Sequence, residues 1–219
     1  MKFTLFRCPV CGKAAQAFLE PCVECLDALN NEYSETCTRC SADLAGSDNP
    51  CPQCRTGSAA IDGIKAVGAW SGVLREWLST FKFGGDSRTA GKLAELLFCR
   101  WEEEWAGIPV VPVLPRFMRV FRDGFDPVGL IAKTLKVRGV PVENLLLRKG
   151  GQAQKSLTKE ERLAGAALDF RFRFSSQLDK KDYVMLDDVT STGATLNKCA
   201  ELLKSAGAHR IFALVICRA

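Results

Sequence analysis

Four CxxC pairs occupy the first quarter of the chain, and the last two repeat the spacing of the first two with a period of 29 residues. Each half has one CxxC, ten intervening residues and a second CxxC, which is the spacing of a four-thiolate zinc site. The pattern predicts two structural Zn²⁺ ions, but pairing between the halves stays open because spacing identifies ligands better than connectivity. The predicted sites are Cys8, Cys11, Cys22 and Cys25, and Cys37, Cys40, Cys51 and Cys54.

Metal is favoured over disulfides in this segment. Residues 1–54 contain few large apolar side chains, and a structural zinc contributes on the order of 10 kcal/mol to a small domain. An apolar signal-peptide core is missing before Cys8, so we expect a cytoplasmic chain in which thiols stay reduced. The other three cysteines fall on apolar faces and are predicted to be core residues: Cys99, Cys199 and Cys217.

A second motif follows a buried strand predicted at 182–186. Two adjacent carboxylates come first, and then a loop of hydroxyls around one glycine opens into an amphipathic helix. Paired acids can accept hydrogen bonds from vicinal ribose hydroxyls, while loop N–H groups and the positive end of a helix suit a phosphate. A simple helix cap is the alternative, but it needs only one such residue. The predicted ribose-phosphate contacts are Asp187, Asp188, Thr190, Ser191, Thr192, Gly193, Ala194 and Thr195.

Strand-like and helix-like segments alternate through the rest of the chain. This predicts an α/β fold with a parallel sheet and helices on both faces in residues 59–219, after a small double zinc-ribbon domain at 1–58. The chain lacks 18 consecutive apolar residues, so no membrane span is expected. Expected strands are 64–70, 110–113, 142–147, 182–186 and 211–217; expected helices are 73–84, 89–105, 126–138 and one that ends at Gly207.

Charge is distributed unevenly along the chain. Residues 116–173 contain thirteen Lys and Arg against six Asp and Glu, whereas residues 1–54 contain four against seven. The ribbons therefore lack the cationic surface that nucleic-acid binding requires, and any contact with single-stranded DNA is predicted on the basic face of the C-terminal domain. A solvated face beside a site for a multiply charged substrate is the alternative.

Together these features resemble the ComF family, which joins a cysteine-rich ribbon to a type I phosphoribosyltransferase-like domain. The resemblance covers nearly the whole chain. It is carried by the four CxxC pairs and by the segments 81–86, 111–115, 154–157, 161–162 and 187–195.

The resemblance implies phosphoribosyl pyrophosphate (PRPP) as ligand, with Mg²⁺ bridging ribose hydroxyl and pyrophosphate oxygens. Asp187 and Asp188 would hold the ribose hydroxyls, and residues 190–195 the terminal phosphate. It also implies DNA uptake during natural transformation, or use of external DNA, with a protein of the uptake machinery as a partner. The residues implied on the pyrophosphate side are Lys82, Pro112, Val113 and Arg116.

Three positions in two motifs depart from the family pattern. Its Arg-Gly-Phe-Asn stands here as Asp123-Gly124-Phe125-Asp126, and the asparagine that usually follows Glu-Arg is Gly165. If these positions touch pyrophosphate or the acceptor, the departures predict PRPP binding without efficient turnover.

Three functions remain open from the sequence. The first is a phosphoribosyltransferase with an unidentified acceptor. The second is a non-catalytic module that binds single-stranded DNA and keeps the fold as a PRPP sensor or scaffold. The third is an adaptor that docks a protein partner through the ribbons. His209, the only histidine, follows a helix-ending glycine and is predicted to be a surface residue and not a general base.

Overall fold

The computed structural model describes residues 6–8, 10–15, 21–31, 35–57, 60–84, 87–113, 126–148, 170–172, 178 and 180–219. In chain order, the strands are β1 (Phe6–Arg7), β2 (Ala14–Ala15), β3 (Gly63–Ala69), β4 (Val110–Pro112), β5 (Leu146–Arg148), β6 (Phe170–Phe172), β7 (Tyr183–Thr190) and β8 (Ile211–Arg218). The helices are α1 (Val23–Asn31), α2 (Pro52–Thr56), α3 (Gly72–Gly84), α4 (Ser87–Phe98), α5 (Pro127–Val137) and α6 (Ala194–Ser205).

Four parallel strands form the central sheet in the order β3-β8-β7-β4. Strands β7 and β8 lie in the middle and read as near-continuous apolar runs, as expected for strands covered on both faces. Two short antiparallel pairs, β1-β2 and β5-β6, accompany the sheet. Among the described residues, no helix is long and apolar enough to cross a lipid bilayer.

The core is divided by the sheet into two layers. Val184 and Leu186 point to the face that α3, α4 and α5 cover, whereas Met185 points to the face that α6 covers. Both layers are made of fully buried aliphatic and aromatic side chains. The predicted α/β class, with a parallel sheet and helices on both faces, is therefore confirmed.

The helix predicted over 89–105 is too long. Helix α4 ends at Phe98, and a separate 3₁₀ turn covers Glu103–Trp105. An aromatic stack explains the break, because Trp101 packs between Phe98 and Trp105 at 5.7 Å from each ring, and the buried Trp105 meets Phe212 of the sheet at 5.3 Å. Packing these rings against the sheet requires the chain to leave the helical path.

Two strands also differ from prediction. The segment expected as a strand at 142–147 makes only one parallel bridge, Val110 with Val142, before the separate strand β5 begins at Leu146. Strand β7 continues four residues past its expected end because β8 pairs with it as far as Arg218. The acidic pair consequently lies within a strand and not after it.

Candidate functional site

The eight CxxC cysteines form two clusters, and each draws its four thiols from one half of the repeat. The sulfur atoms of Cys8 and Cys25 lie 3.8 Å apart, those of Cys11 and Cys22 3.6 Å, and those of Cys40 and Cys51 3.8 Å. Four thiolates at about 2.3 Å from one zinc ion would stand about 3.8 Å from one another. The described chain contains all eleven cysteines, and none is in a disulfide. The geometry therefore fits a metal ion in each cluster, with pairing within the halves.

The repeat extends to the backbone hydrogen bonds. In the first ribbon the amide of Cys8 donates to the carbonyl of Lys13, and that of Gly12 to Cys8. In the second ribbon the equivalent bonds run from Cys37 to Ala42 and from Ser41 to Cys37. These bonds are offset by the same 29 residues that separate the cysteines, so the internal duplication is structural as well as sequential.

Cys8 and Cys37, the leading cysteines of the two clusters, share an electrostatic environment. Burial tends to raise the pKa of each thiol, but backbone N–H groups directed at the sulfur outweigh it and lower the pKa to about 6 in both. The amide of Val10 lies 3.4 Å from the Cys8 sulfur, and that of Cys51 lies 3.3 Å from the Cys37 sulfur. Such N–H···S contacts favour the thiolate, which is the form that binds metal.

The two ribbons pack on opposite faces of the sheet. Cys8, Cys22 and Cys25 belong to the core layer of α3, and α1 contacts that helix. The second ribbon lies in the other layer and also covers strand β3, which is an edge of the described sheet. There the amide of Ile64 donates to the carbonyl of Arg39 at 2.7 Å.

Of the remaining cysteines, Cys199 and Cys217 are fully buried, as predicted. Burial raises the pKa of the Cys217 thiol to about 12, so this side chain is a neutral core residue. Cys99 is exposed because it lies just beyond the end of α4. Its prediction as a core residue was wrong.

The hydroxyl-rich loop connects β7 to α6. Gly193 is the N-cap of α6 and has a φ of +75°, in the left-handed region that side chains with a Cβ rarely adopt. Ser191, Thr192 and Ala194 are exposed around it, whereas Thr195 is half-buried and Thr190 is buried. The loop thus presents the first turn of α6, whose N–H groups lack intrahelical partners, to solvent.

The two acids do not lie side by side, because successive side chains of a strand point to opposite faces. Asp188 faces α3, where its Oδ2 atom is 2.7 Å from Nζ of Lys82. The ammonium group of Lys82 also lies over the ring of Trp70, 5.6 Å from its centroid. The pair is largely shielded, with 24% of the Lys82 side chain and 21% of the Asp188 side chain exposed. The structure therefore brings together Lys82 and an acid that were predicted separately.

Strand β4 places two further predicted residues beside the acids. Pro112 pairs with Leu186, and the amide of Val113 donates to the carbonyl of Leu186 at 2.8 Å. Both residues are buried, so any contact with a ligand there would use the backbone. Arg116, Asp123, Gly165 and the segment 154–162 lie outside the described residues, as does most of the basic stretch 116–173.

Asp126 joins this site through α5. It is the N-cap of that helix, as predicted, and its Oδ1 atom accepts a hydrogen bond from the amide of Gly129 at 3.0 Å. Burial raises the pKa of Asp126, and the negative charge of Asp188 adds to the increase, against the backbone amides that lower it. Asparagine caps a helix equally well, so the departure from the family pattern keeps the cap and adds a charge near Asp188.

Sequence reasoning missed the aromatic platform under Lys82. Trp70 was predicted only as the last residue of a strand, and it follows β3 directly. An aromatic residue at the carboxyl end of a predicted parallel strand could have identified Trp70 as a site residue, because ligands of open α/β sheets bind at the carboxyl ends of the strands. His209 lies just before β8, at the amino ends of the parallel strands and away from this site. Its side chain is 67% exposed and its Nδ1 atom is 2.9 Å from Asp182, so it is a surface residue as predicted.

No protein-family model matches the chain. Two curated proteins are similar to it over nearly their whole lengths. Competence protein ComFC of Streptococcus pneumoniae is 28% identical, over 95% of this chain and 99% of that protein. Competence protein F of Haemophilus influenzae is 24% identical, over 96% of each chain.

Among solved structures, an orotate phosphoribosyltransferase from Aeropyrum pernix overlaps 60% of this chain and 60% of its own, at 20% identity and a TM-score of 0.39. A purine phosphoribosyltransferase from Pyrococcus horikoshii overlaps 60% of this chain and 83% of its own, at 15% identity and a TM-score of 0.33. Each is a partial overlap of two folds. With the paired cysteine clusters, the parallel sheet and the full-length similarity to the two competence proteins, the resemblance of this chain to the ComF family is confirmed.

Proposed function

We propose that this protein binds PRPP at the carboxyl end of β7 and acts in the handling of external DNA during natural competence. The observation that carries the proposal is the Lys82–Asp188 ion pair beside the Gly193 loop. A cation, two carboxylates and a helix N-terminus at one sheet edge match the three parts of PRPP, which are pyrophosphate, ribose hydroxyls and terminal phosphate.

Each part of the ligand has its own contact. The first turn of α6 and the hydroxyls of Ser191 and Thr192 hold the terminal phosphate. Asp187 and Asp188 accept hydrogen bonds from the ribose hydroxyls, each from its own face of β7, with the ribose across the end of the strand. Lys82 then exchanges part of its pairing with Asp188 for the pyrophosphate, held in place by the ring of Trp70.

Magnesium fits this arrangement as a companion of the ligand. Within the described residues, the two cysteine clusters are the only groups of three or more potential ligands that converge on one point. Mg²⁺ is commonly held by one or two carboxylates together with substrate phosphates, and Asp188, near the acid Asp126, supplies such a carboxylate. The ion would neutralise the pyrophosphate charge next to these acids.

Zinc has a structural role in this proposal. Four thiolates complete a tetrahedral site and leave no open position for a substrate. A role in competence is supported by the names of the two curated relatives, which are both competence proteins. A protein of the uptake machinery as partner is part of the same proposal.

Calorimetric titration of PRPP with Mg²⁺ into the zinc-replete protein tests the proposal. We expect binding by the wild type, and affinities lower by roughly tenfold to a hundredfold for Asp187→Asn and Asp188→Asn, because each loses charge-assisted hydrogen bonds. The control is Glu76→Gln, which neutralises an exposed acid on α3 and should bind PRPP normally.

Failure of the folded, zinc-replete wild type to bind PRPP would overturn the proposal. Equal affinity in the wild type and both aspartate variants would do the same. Where binding is found, release of pyrophosphate in the presence of candidate nucleophiles tests for transfer of the phosphoribosyl group.

A further inference from the structure

A cavity of about 370 Å³ lies between the second ribbon and the Gly193 loop. We call it the ribbon cavity. Arg39 and Gln53 of the ribbon form one wall, and residues 192–194 form the facing wall. Its volume is at the lower end of the range of about 300–1,000 Å³ typical of small-molecule sites.

The ribbon cavity lies next to the loop proposed to bind the terminal phosphate, and not next to the acids proposed to bind the ribose hydroxyls. It borders Thr192, Gly193 and Ala194, whereas neither Asp187 nor Asp188 lines it. A group that occupies the ribbon cavity would therefore extend away from the ribose hydroxyls, beyond the terminal phosphate.

Two cationic side chains line the ribbon cavity, together with Cys40 and Cys54 of the second metal cluster. Arg39 lies on the ribbon side and Arg218 at the end of β8, and no carboxylate is among the lining residues. The buried Nε atom of Arg218 has no hydrogen-bond partner within the described part of the chain. The Nη1 atom of the same guanidinium donates to the carbonyls of Thr190 and Ala219, at 3.4 and 3.2 Å, so the cation is partly paired and its remaining N–H groups are left for an anionic oxygen.

Comparison of the two ribbons shows that these features are particular to the second one. The residue equivalent to Arg39, 29 positions earlier, is Val10, and the residue equivalent to Gln53 is Glu24. The copy that faces the loop thus has a cation and a neutral amide where the other copy has an apolar side chain and an acid. The apolar surfaces of Ile61 and Ile64 complete a lining suited to a nucleoside.

We infer that the ribbon cavity binds a nucleoside phosphate joined to the terminal phosphate of the ribosyl ligand. The preferred ligand class is therefore a ribose 5-diphosphate ester, of which ADP-ribose is the simplest probe. The inference rests on the proposed function, since the same loop must hold the ribose-linked phosphate. Arg39 and Arg218 bind the second phosphate, and the apolar wall accommodates the base.

Calorimetry with ADP-ribose and ribose 5-phosphate, each with Mg²⁺, tests the inference on the full-length, zinc-replete protein. We expect ADP-ribose to bind at least tenfold more tightly than ribose 5-phosphate. Gln53→Trp fills the ribbon cavity from an exposed helix position, so it should remove that advantage and leave the affinity for ribose 5-phosphate unchanged.

Glu24→Trp is the matched control, because it places the same side chain at the equivalent position of the first ribbon; it should change neither affinity. Arg39→Val, which introduces the first ribbon's residue, should weaken ADP-ribose several-fold. Melting temperature and zinc content establish that each variant is folded.

The outcomes separate the two proposals. If PRPP and ribose 5-phosphate bind but ADP-ribose is no tighter, the inference is overturned and the proposed function stands. If Gln53→Trp binds ADP-ribose as the wild type does, the inference is likewise overturned. If PRPP, ribose 5-phosphate and ADP-ribose all fail to bind, the proposed function fails and the inference with it.

Discussion

The two zinc ribbons have the same cysteine spacing and the same backbone hydrogen bonds, yet they contact different parts of the protein. The first packs beneath α3, the helix that carries Lys82, and joins the core layer on that face of the sheet. The second attaches to the edge strand β3 and forms a wall of the ribbon cavity. The two ribbons are therefore equivalent repeats in their cysteines and backbone, and they differ in the residues between the cysteines and in the elements that they contact.

The largest effect expected is the loss of one metal site. Cys51→Ser and Cys22→Ser occupy equivalent positions, and each should lower the zinc content from two ions to one and destabilise the protein by several kcal/mol. Only Cys51→Ser should abolish the preference for ADP-ribose, because among the described residues the second ribbon, and not the first, borders the Gly193 loop. Zinc analysis, thermal unfolding and calorimetry on both variants provide the comparison, and equal losses of ligand affinity would contradict it.

Lys82→Met tests the face that the first ribbon covers. Removing the cation should weaken PRPP by roughly tenfold to a hundredfold, because a charge-assisted contact with pyrophosphate is lost. Ribose 5-phosphate, which has no pyrophosphate, should be affected much less. Calorimetry with both ligands measures the difference.

The matched control for Lys82→Met is Lys65→Met, which breaks a lysine–carboxylate pair with Glu102 away from the site. If Lys82→Met weakens PRPP and ribose 5-phosphate equally, Lys82 does not contact the pyrophosphate and acts only by positioning Asp188.

Ser41→Ala tests how the second ribbon is attached. The hydroxyl of Ser41 donates to the carbonyl of Ile64 at 2.9 Å and accepts from the amide of Ala66 at 3.2 Å. Losing both bonds should cost about 1–2 kcal/mol, because two backbone groups of β3 lose their partner. Chemical denaturation measures the change.

Ser41→Gly provides the internal control. Ser41 has a φ of +54°, and its equivalent in the first ribbon is Gly12 with a φ of +74°. Glycine relieves backbone strain of about 1 kcal/mol at such an angle, so Ser41→Gly should be more stable than Ser41→Ala. A reversed order would show that the backbone at position 41 is not strained, whereas an unchanged stability of Ser41→Ala would show that the hydroxyl does not hold the ribbon.

The smallest effect concerns Asp126. Replacing it with asparagine keeps a helix cap and removes a negative charge near Asp188. PRPP should therefore bind roughly two- to fivefold more tightly, because a screened charge–charge repulsion near the protein surface has about this effect. Weaker binding would instead indicate that the carboxylate contacts magnesium. Calorimetry distinguishes the two results.

The raised pKa of Asp126 also predicts a pH effect. An acid whose pKa is higher in the folded state destabilises that state once ionised, and the penalty disappears as the pH falls below the raised value. Stability measured from neutral to acidic pH should therefore gain less on acidification in Asp126→Asn than in the wild type.

The sequence predicted the features that depend on local spacing. The grouping of the cysteines, the cap at Asp126 and the loop at Gly193 each involve residues close together in the chain. The cap and the loop are found as expected, and the structure decides between the two groupings of cysteines that the spacing left open. The predicted role of the loop in ligand binding stays a prediction.

Features that depend on distant contacts were not predicted. The attachment of Ser41 to Ile64, the pairing of Lys82 with Asp188 and the break of α4 at the Trp101–Trp105 stack each join separate elements. The opposite orientation of Asp187 and Asp188 was also not predicted. It follows from the alternation of side chains in β7, which continues past the strand end predicted from the sequence.

The second ribbon has one more consequence. By bonding to the backbone of Ile64 and Ala66, it shields the outer side of β3, which would otherwise present unpaired groups to other chains. Loss of the metal from the second ribbon would expose the edge of β3, and the exposed backbone groups could then pair with strands of other molecules. Removal of the metal from the second ribbon is therefore expected to promote aggregation of the protein, and removal from the first ribbon is not.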